Sequence, residues 1–233
     1  MKTIGLIGGM SWESTAVYYR LLNEGVKEHL GGLHSAEIVM VSVDFEPIEK
    51  LQHAADWAGA ARVLIEAARR VEAGGADFLL ICANTMHRLA DDVADAVGIP
   101  LLHIADATAD AVRAEGLKRV GLLGTRFTME EDFYKGRLTE QHGLEVMVPD
   151  ERDREIVHRI IYDELCLGEI RDASRQEFIR IIEGLTTRGT QGIILGCTEI
   201  PLLVGDDDVW VQLFDTTAIH AQKAVALALA SDD

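Results

Sequence analysis

The chain predicts an α/β protein with parallel sheets, arranged as two similar subdomains, and three observations lead there. Apolar runs of strand length alternate with helix-patterned segments from end to end, the signature of strand–helix–strand units. The pattern then repeats: "IGLIGGMSWESTAVYY" at 4–19 aligns with "VGLLGTRFTMEEDFYK" at 120–135, placing Gly5 on Gly121, Gly8 on Gly124 and Tyr18 on Tyr134. Finally, "LLICANTMHRL" at 79–89 and "GIILGCTEIPLL" at 192–203 each run an apolar strand into a cysteine and a polar helix start.

Taken in order, strands are expected at 3–7, 36–43, 77–82, 100–104, 119–123, 144–148, 192–196 and 209–213. Between them lie helical patterns such as 56–73, with either Val63, Ala67 and Val71 or Leu64, Ala68 and Val71 on one stripe. The repeat divides the chain into an N-terminal α/β subdomain at 1–103 and a second at 104–207. The C-terminal segment 208–233 packs its helix back on the first. A pseudo-two-fold axis between such halves would bring equivalent strand C-termini face to face, with the site in the cleft between them. The alternative is one continuous sheet with coincident glycines.

The 233 residues suffice for one large domain or two small ones, and 48% hydrophobic content allows a sizeable core. A net charge of −17 and a pI near 4.8 argue against nucleic acid or an anionic membrane surface as partner. The first apolar run is too short for a signal sequence, and no stretch reaches the ~18 apolar residues of a membrane helix. Cys82, Cys166 and Cys197 are an odd number without a CxxC pair. They read as reduced thiols of a cytoplasmic protein, neither a disulfide framework nor a zinc site.

"GLIGGMS" lacks the G-x-G-x-x-G spacing, and Asp44 comes too late to hold a ribose, so a dinucleotide is not expected. The loop is instead a turn that exposes N–H groups at a helix start, or simply tight packing. Asn84 and Thr85 precede "MHRLADDVADAV" as N-cap residues, and Thr198 and Glu199 stand likewise before Ile200 and Pro201. Each strand end thus aims a helix N-terminus, able to hold a carboxylate, at the site; ordinary capping is the simpler account of either alone. A thiol near a helix N-terminus is a candidate carbon-acid base, because its pKa needs only a modest reduction. A lone intracellular cysteine is otherwise a small buried hydrophobe, and Cys166, inside "IIYDELCLGEI", keeps that reading. His87 and His220 lie in helical patterns, His103 ends a strand, and no metal-ligand spacing presents itself.

With both cysteine motifs in view, the sequence resembles the aspartate/glutamate racemase family, and within it the broad-specificity amino-acid racemases of enterobacteria. "MKTIGLIGGMSWEST", "SVDFEPIE", "CANTMH", "LHIADAT", "LLGTRFTMEEDFY", "LGCTEIPLL" and "FDTTAIHA" carry the resemblance along the whole chain. It implies two α/β subdomains, a homodimer, a small-molecule amino-acid substrate and racemisation with no cofactor, pyridoxal phosphate included, and no metal. One thiolate removes the α-proton, the opposite thiol reprotonates the carbanion, and backbone donors hold the α-carboxylate.

Two departures stand out. Members with two catalytic cysteines carry the first directly before Asn-Thr, where this chain has Ala83, with Cys82 one step earlier. In an extended strand that step reverses the side chain. The resemblance therefore makes Cys197 the principal thiol and Ala83 the place of the missing first thiol; Cys82 is a core residue if the strand stays extended and a second catalytic thiol if the backbone twists it into the site. Aspartate-specific relatives also present a lysine where Cys166 stands, beside the acidic Asp163 and Glu164. A neutral side chain such as homoserine's, or a broad range, is then credible. By resemblance, Met10, Gln52 and Glu164 join Asn84, Thr85, Thr198 and Glu199 as substrate-binding residues. A single-cysteine isomerase or decarboxylase, and a non-catalytic amino-acid-binding relative, are the rival readings.

Overall fold

A computed structural model of the chain describes residues 1–230. It comprises two compact units: residues 1–104 with the chain from His220 onward, and Ala105–Ile219. The first unit runs β1 (Ile4–Gly8), α1 (Trp12–Leu30), β2 (Ile38–Ser42), α2 (Phe45–His53), α3 (Trp57–Ala73), β3 (Phe78–Ile81), a 3₁₀ turn (Thr85–Leu89) and α4 (Ala90–Ala94). Its three parallel strands are ordered β2-β1-β3. Then α5 (Ile104–Ala114) leads into β4 (Arg119–Gly124), α6 (Arg126–Glu130), α7 (Asp132–Gly136), β5 (Glu145–Met147), α8 (Glu151–Asp163), a 3₁₀ turn (Leu165–Leu167), α9 (Asp172–Thr187) and β6 (Gly192–Gly196). A further 3₁₀ turn (Ile200–Leu202), β7 (Gln212–Asp215) and α10 (Thr216–Leu229) follow. The second sheet is also parallel, ordered β5-β4-β6-β7.

Because parallel strands need helical crossovers, both faces of each central strand are covered. In the first unit the two faces form separate clusters. Ile4, Leu6, Phe78, Leu80 and Cys82 pack with Tyr18, Leu22 and Val26 of α1 and Ala221, Val225 and Ala228 of α10. Ile7, Leu79, Ile81 and Ala83 pack with Ile48 of α2 and Leu64, Ala68 and Val71 of α3. Successive strand residues go to opposite clusters, as the period of two requires. In the second unit Ile193, Leu195 and Cys197 share one cluster with Ile160 and Ile161 of α8 and Phe178 and Ile182 of α9.

Helix starts are set locally. Ser11 caps α1 by accepting from the Ser14 N–H, and Thr125 caps α6 in the same way through Thr128. Asp56 caps α3 through the Gly59 N–H at 2.8 Å. Of the two stripes expected on α3, Leu64, Ala68 and Val71 face the core, while Val63 is 36% exposed. Tyr18 and Tyr134, matched in the sequence repeat, are both fully buried.

Two expected strands come out differently. The run 100–104 contributes a single bridge, Leu79 to Leu101, tied by Leu79 N–H to the Pro100 carbonyl and Leu102 N–H to the Leu79 carbonyl. Pro100 lacks the N–H that a longer ladder would use. The run 209–213 shifts to Gln212–Asp215, because Phe214 is the residue that buries, whereas Trp210 stands in solvent. Since β7 pairs with β6, residues 208–219 stay with the second unit, and the chain joins the first at His220 rather than at 208. From there α10 covers the sheet face beside α1, and Lys2 N–H bonds the Ala228 carbonyl.

Candidate active site

Strand register fixes which residues correspond between the units. In the first, Ile4 pairs with Phe78 and Ile7 with Ile81; in the second, Val120 pairs with Gly192 and Leu123 with Leu195. With Ile4 matched to Val120, the residue two beyond Ile81 answers to the residue two beyond Leu195. Ala83 therefore stands where Cys197 stands. Cys82 corresponds to Gly196 and turns into the cluster beneath α1 and α10, with no exposed surface. Burial drives its thiol far above the ordinary range.

Cys197 is buried at the end of β6 and its S–H donates to Glu199 Oε2 at 2.9 Å. The Thr198 hydroxyl donates to the same oxygen at 2.8 Å. The strand end itself is anchored by the Thr216 hydroxyl, which donates to the Leu195 carbonyl at 2.9 Å. Burial, the Glu199 charge and Cys166 raise the Cys197 pKa well above the usual thiol value. The expected helix-dipole effect has the opposite sign and is not what this environment delivers. The helix after Cys197 is the three-residue 3₁₀ turn Ile200–Leu202, so little dipole is available. Glu199 sits at its N-cap position without a side-chain cap bond, its carboxylate being turned back onto the thiol. Pro201 occupies the first turn.

The helix expected of "MHRLADDVADAV" opens as the 3₁₀ turn Thr85–Leu89, continues as α4 and ends at Ala94. Asn84 is itself helical in backbone and makes no side-chain cap bond to the 3₁₀ turn Thr85–Leu89. Asn84 and Thr85 are both buried. Ala83, 7% exposed, packs with Met10 and Met86. Gln52 is buried nearby, its Nε2 donating to Met86 Sδ at 2.7 Å while Oε1 has no hydrogen-bond partner. The loop after β1 is tight. A Cβ on Gly9, whose φ is +94°, would lie 2.2 Å from the Val43 carbonyl oxygen, and the Gly9 N–H donates to Thr15 Oγ1. The loop's N–H is thus turned inward onto α1.

Glu164 lies at the C-terminal end of α8, where its carboxylate accepts from Ser174 Oγ at 2.5 Å and pairs with Arg171 at 3.4 Å. Cys166 is half-buried at the edge of the cluster that holds Cys197. A buried histidine pair, His87 and His220 with ring centroids 5.9 Å apart, is tied to the Ala83 and Leu102 carbonyls. Ile104 N–H donates to His87 Nε2, so Nδ1 carries the proton and donates to the Ala83 carbonyl at 2.8 Å. His220 Nε2–H donates to the Leu102 carbonyl and Nδ1 accepts from Tyr18, both at 2.9 Å. Burial lowers the His220 pKa to about 3. The only sequence signal was spacing: His87 lies one helical turn after Ala83. Among the described residues no group of three or more His, Cys, Asp or Glu is arranged to hold a metal ion. No helix among them is long and apolar enough to cross a membrane.

Two repeated α/β units, with a buried thiol under a carboxylate at one strand end, define an isomerase of amino-acid-racemase type. Residues 7–224 match the Asp/Glu/Hydantoin racemase model, and the chain belongs to that family. It is similar to the crystal structure of a putative Asp/Glu racemase from Yersinia pestis, with 57% identity, a TM-score of 0.93 and coverage of 99% of this chain and 100% of that one. An aspartate racemase homologue from Pyrococcus horikoshii OT3 is 39% identical with a TM-score of 0.85, again over 99% and 100%. The broad specificity amino-acid racemase RacX of Bacillus subtilis is 24% identical over 173 residues, 72% of each chain.

Proposed function

We propose that the chain racemises a free amino acid by α-proton abstraction and return, with Cys197 as the principal thiol base and no cofactor. The observation that carries this reading is the Cys197 S–H held 2.9 Å from the Glu199 carboxylate. In the resting protein Cys197 is a thiol. Passing its proton to Glu199 would leave the thiolate that takes the α-hydrogen, and the carbanion then regains a proton. Asn84, Thr85 and Thr198, with their neighbouring backbone N–H groups, are the proposed contacts for the α-carboxylate, and Met10 and Gln52 for the rest of the substrate. Glu164, spent on Ser174 and Arg171, acts by holding the end of α8. Aspartate and glutamate are the first substrates to test, along with homoserine. A cytoplasmic homodimer follows from the family resemblance and the unpaired cysteines.

Ala83 at the position equivalent to Cys197 favours an asymmetric version of this chemistry. A methyl group cannot return a proton, so inversion would depend on water or a weak hydroxyl acid such as Thr85. L-substrate, which the resemblance places on the side of Cys197, should then take up solvent deuterium faster than it becomes D-product. The equilibrium stays at equal enantiomers whatever the asymmetry. The test follows deuterium content and optical rotation together. Cys197→Ala should lower exchange by about 10²–10⁴-fold, and Ala83→Cys should bring inversion up toward exchange. Retention of more than half of the exchange in Cys197→Ala would refute the thiol mechanism. Release of carbon dioxide would point instead to a single-cysteine decarboxylase.

A further inference from the structure

At the end of the second sheet away from Cys197 there is a cavity of about 310 Å³ lined by Arg113, Gly116, Leu117, Lys118, His142 and Leu144, with Gly143 between the last two. Three residues of this lining are basic and none is acidic, in a chain whose net charge is −17. The arginines nearby are consumed by partners: Arg119 pairs with Glu145 and Arg137 with Asp106. Arg113 and Lys118 differ. Among the described residues, neither side chain makes a hydrogen bond or ion pair. His142 is held in place by its Nε2–H, which donates to Asp106 at 2.8 Å, and Asp106 is itself gripped by both forks of Arg137.

The backbone removes what would otherwise repel an anion here. Helix α5 ends at the cavity, but its last carbonyls are occupied: Gly116 N–H bonds the Arg113 carbonyl and Leu117 N–H that of Val112. With Gly116 at φ +72°, this is a Schellman closure. The turn before β5 is closed likewise, by Gly143 N–H to Thr139 and Leu144 N–H to Leu138. Two unpartnered cations therefore face a recess whose carbonyls point elsewhere. A guanidinium fork beside an ammonium matches the oxygens of a phosphoryl group, and Leu117 and Leu144 leave room for an apolar portion.

We propose that this cavity binds a small phosphate-bearing anion through Arg113 and Lys118, with His142 as its wall. The site is separate from the thiol. Lys118 precedes β4, whose pairing with β6 runs from Val120 and Gly192 to Gly124 and Gly196, just before Cys197. At ~3.3 Å per residue, roughly 20 Å of strand separates them.

Pyrophosphate serves as the probe, titrated by calorimetry into the intact chain at fixed ionic strength. Wild type should bind one equivalent saturably. Arg113→Gln and Lys118→Gln, both at exposed side chains, should each weaken binding at least about ten-fold. Arg20→Gln, which removes a cation paired with Glu24 in the other unit, should leave it unchanged. Absence of saturable binding up to about 10 mM overturns the proposal. So does equal weakening in Arg20→Gln, which would reduce the effect to diffuse charge, or unaltered binding in both cavity variants.

Discussion

The proposed mechanism asks Cys197 to give up a proton, yet the thiol is buried against a negative charge. Glu199 both accepts its S–H and raises its pKa, so the carboxylate that could carry the proton away also opposes the thiolate. The sign of a substitution follows directly. In Glu199→Gln the charge is gone and the thiolate is opposed less, so the thiol pKa falls. The alkaline inflection in the pH profile of α-deuterium exchange should move to lower pH in that variant, and the exchange rate below it shows whether Glu199 is also needed as proton acceptor. An inflection that stays put would mean that Cys197 does not feel Glu199, and one that moves up that the carboxylate does not oppose the thiolate. At this scale the place of Ala83 was legible in the sequence, because one step along an extended strand always reverses a side chain. The fold-back of Glu199 was not. It needs helical backbone at Glu199 itself, φ −90° and ψ −20°, and no periodicity encodes the dihedrals of one residue.

The elements show where pattern reading holds and where it stops. Alternation of strand and helix, with the glycine repeat, located the central strands to within a residue or two, since buried parallel strands are continuous apolar runs bounded by turns. The segments after β3 and β6 both have helix-compatible sequences, but the first begins as a 3₁₀ turn before α4 and the second makes only the three-residue turn Ile200–Leu202, so the dipole argument lapses at Cys197. The sequence of the glycine loop after β1 fits both an N–H donor turn and tight packing, and its steric limits make the packing testable. Gly9→Ala meets both a positive φ and the Val43 carbonyl, whereas Gly31, at φ +74°, has nothing within 4 Å of an added Cβ. Gly31→Ala should cost about 1 kcal/mol from backbone strain alone, and Gly9→Ala more than about 2 kcal/mol. Urea midpoints of the two variants measure the difference, and equal costs would show that the loop after β1 can open.

For the molecule as a whole, His220 links stability to acidity. Its folded pKa is depressed to about 3 from an ordinary 6.5, chiefly by burial and then by His87. Between those values the unfolded chain binds a proton that the folded one refuses. The stabilisation is complete above about pH 6.5 and drains away as pH falls toward 3, by up to about 1.4 kcal/mol per unit. His220→Gln should show a flatter fall in urea midpoint over that window, and a slope identical to wild type would assign the acid sensitivity to other groups. His220 also opens the part of α10 that belongs to the first unit. The helical pattern of "FDTTAIHAQKAVALALA" was plain, but amphipathicity cannot say where the chain stops serving one core and starts serving another.

That division has a consequence for synthesis. The second unit is one uninterrupted stretch, whereas the first lacks Ala221, Ala224, Val225 and Ala228 until the end of α10 has been made. On the ribosome the N-terminal segment must wait with the sheet face beside α1 uncovered while the later unit forms first. A released 105–219 fragment should therefore show cooperative unfolding and protected amides, and 1–104 should show neither until a peptide spanning 216–230 is added. The half of the protein that is translated first is the half that finishes last.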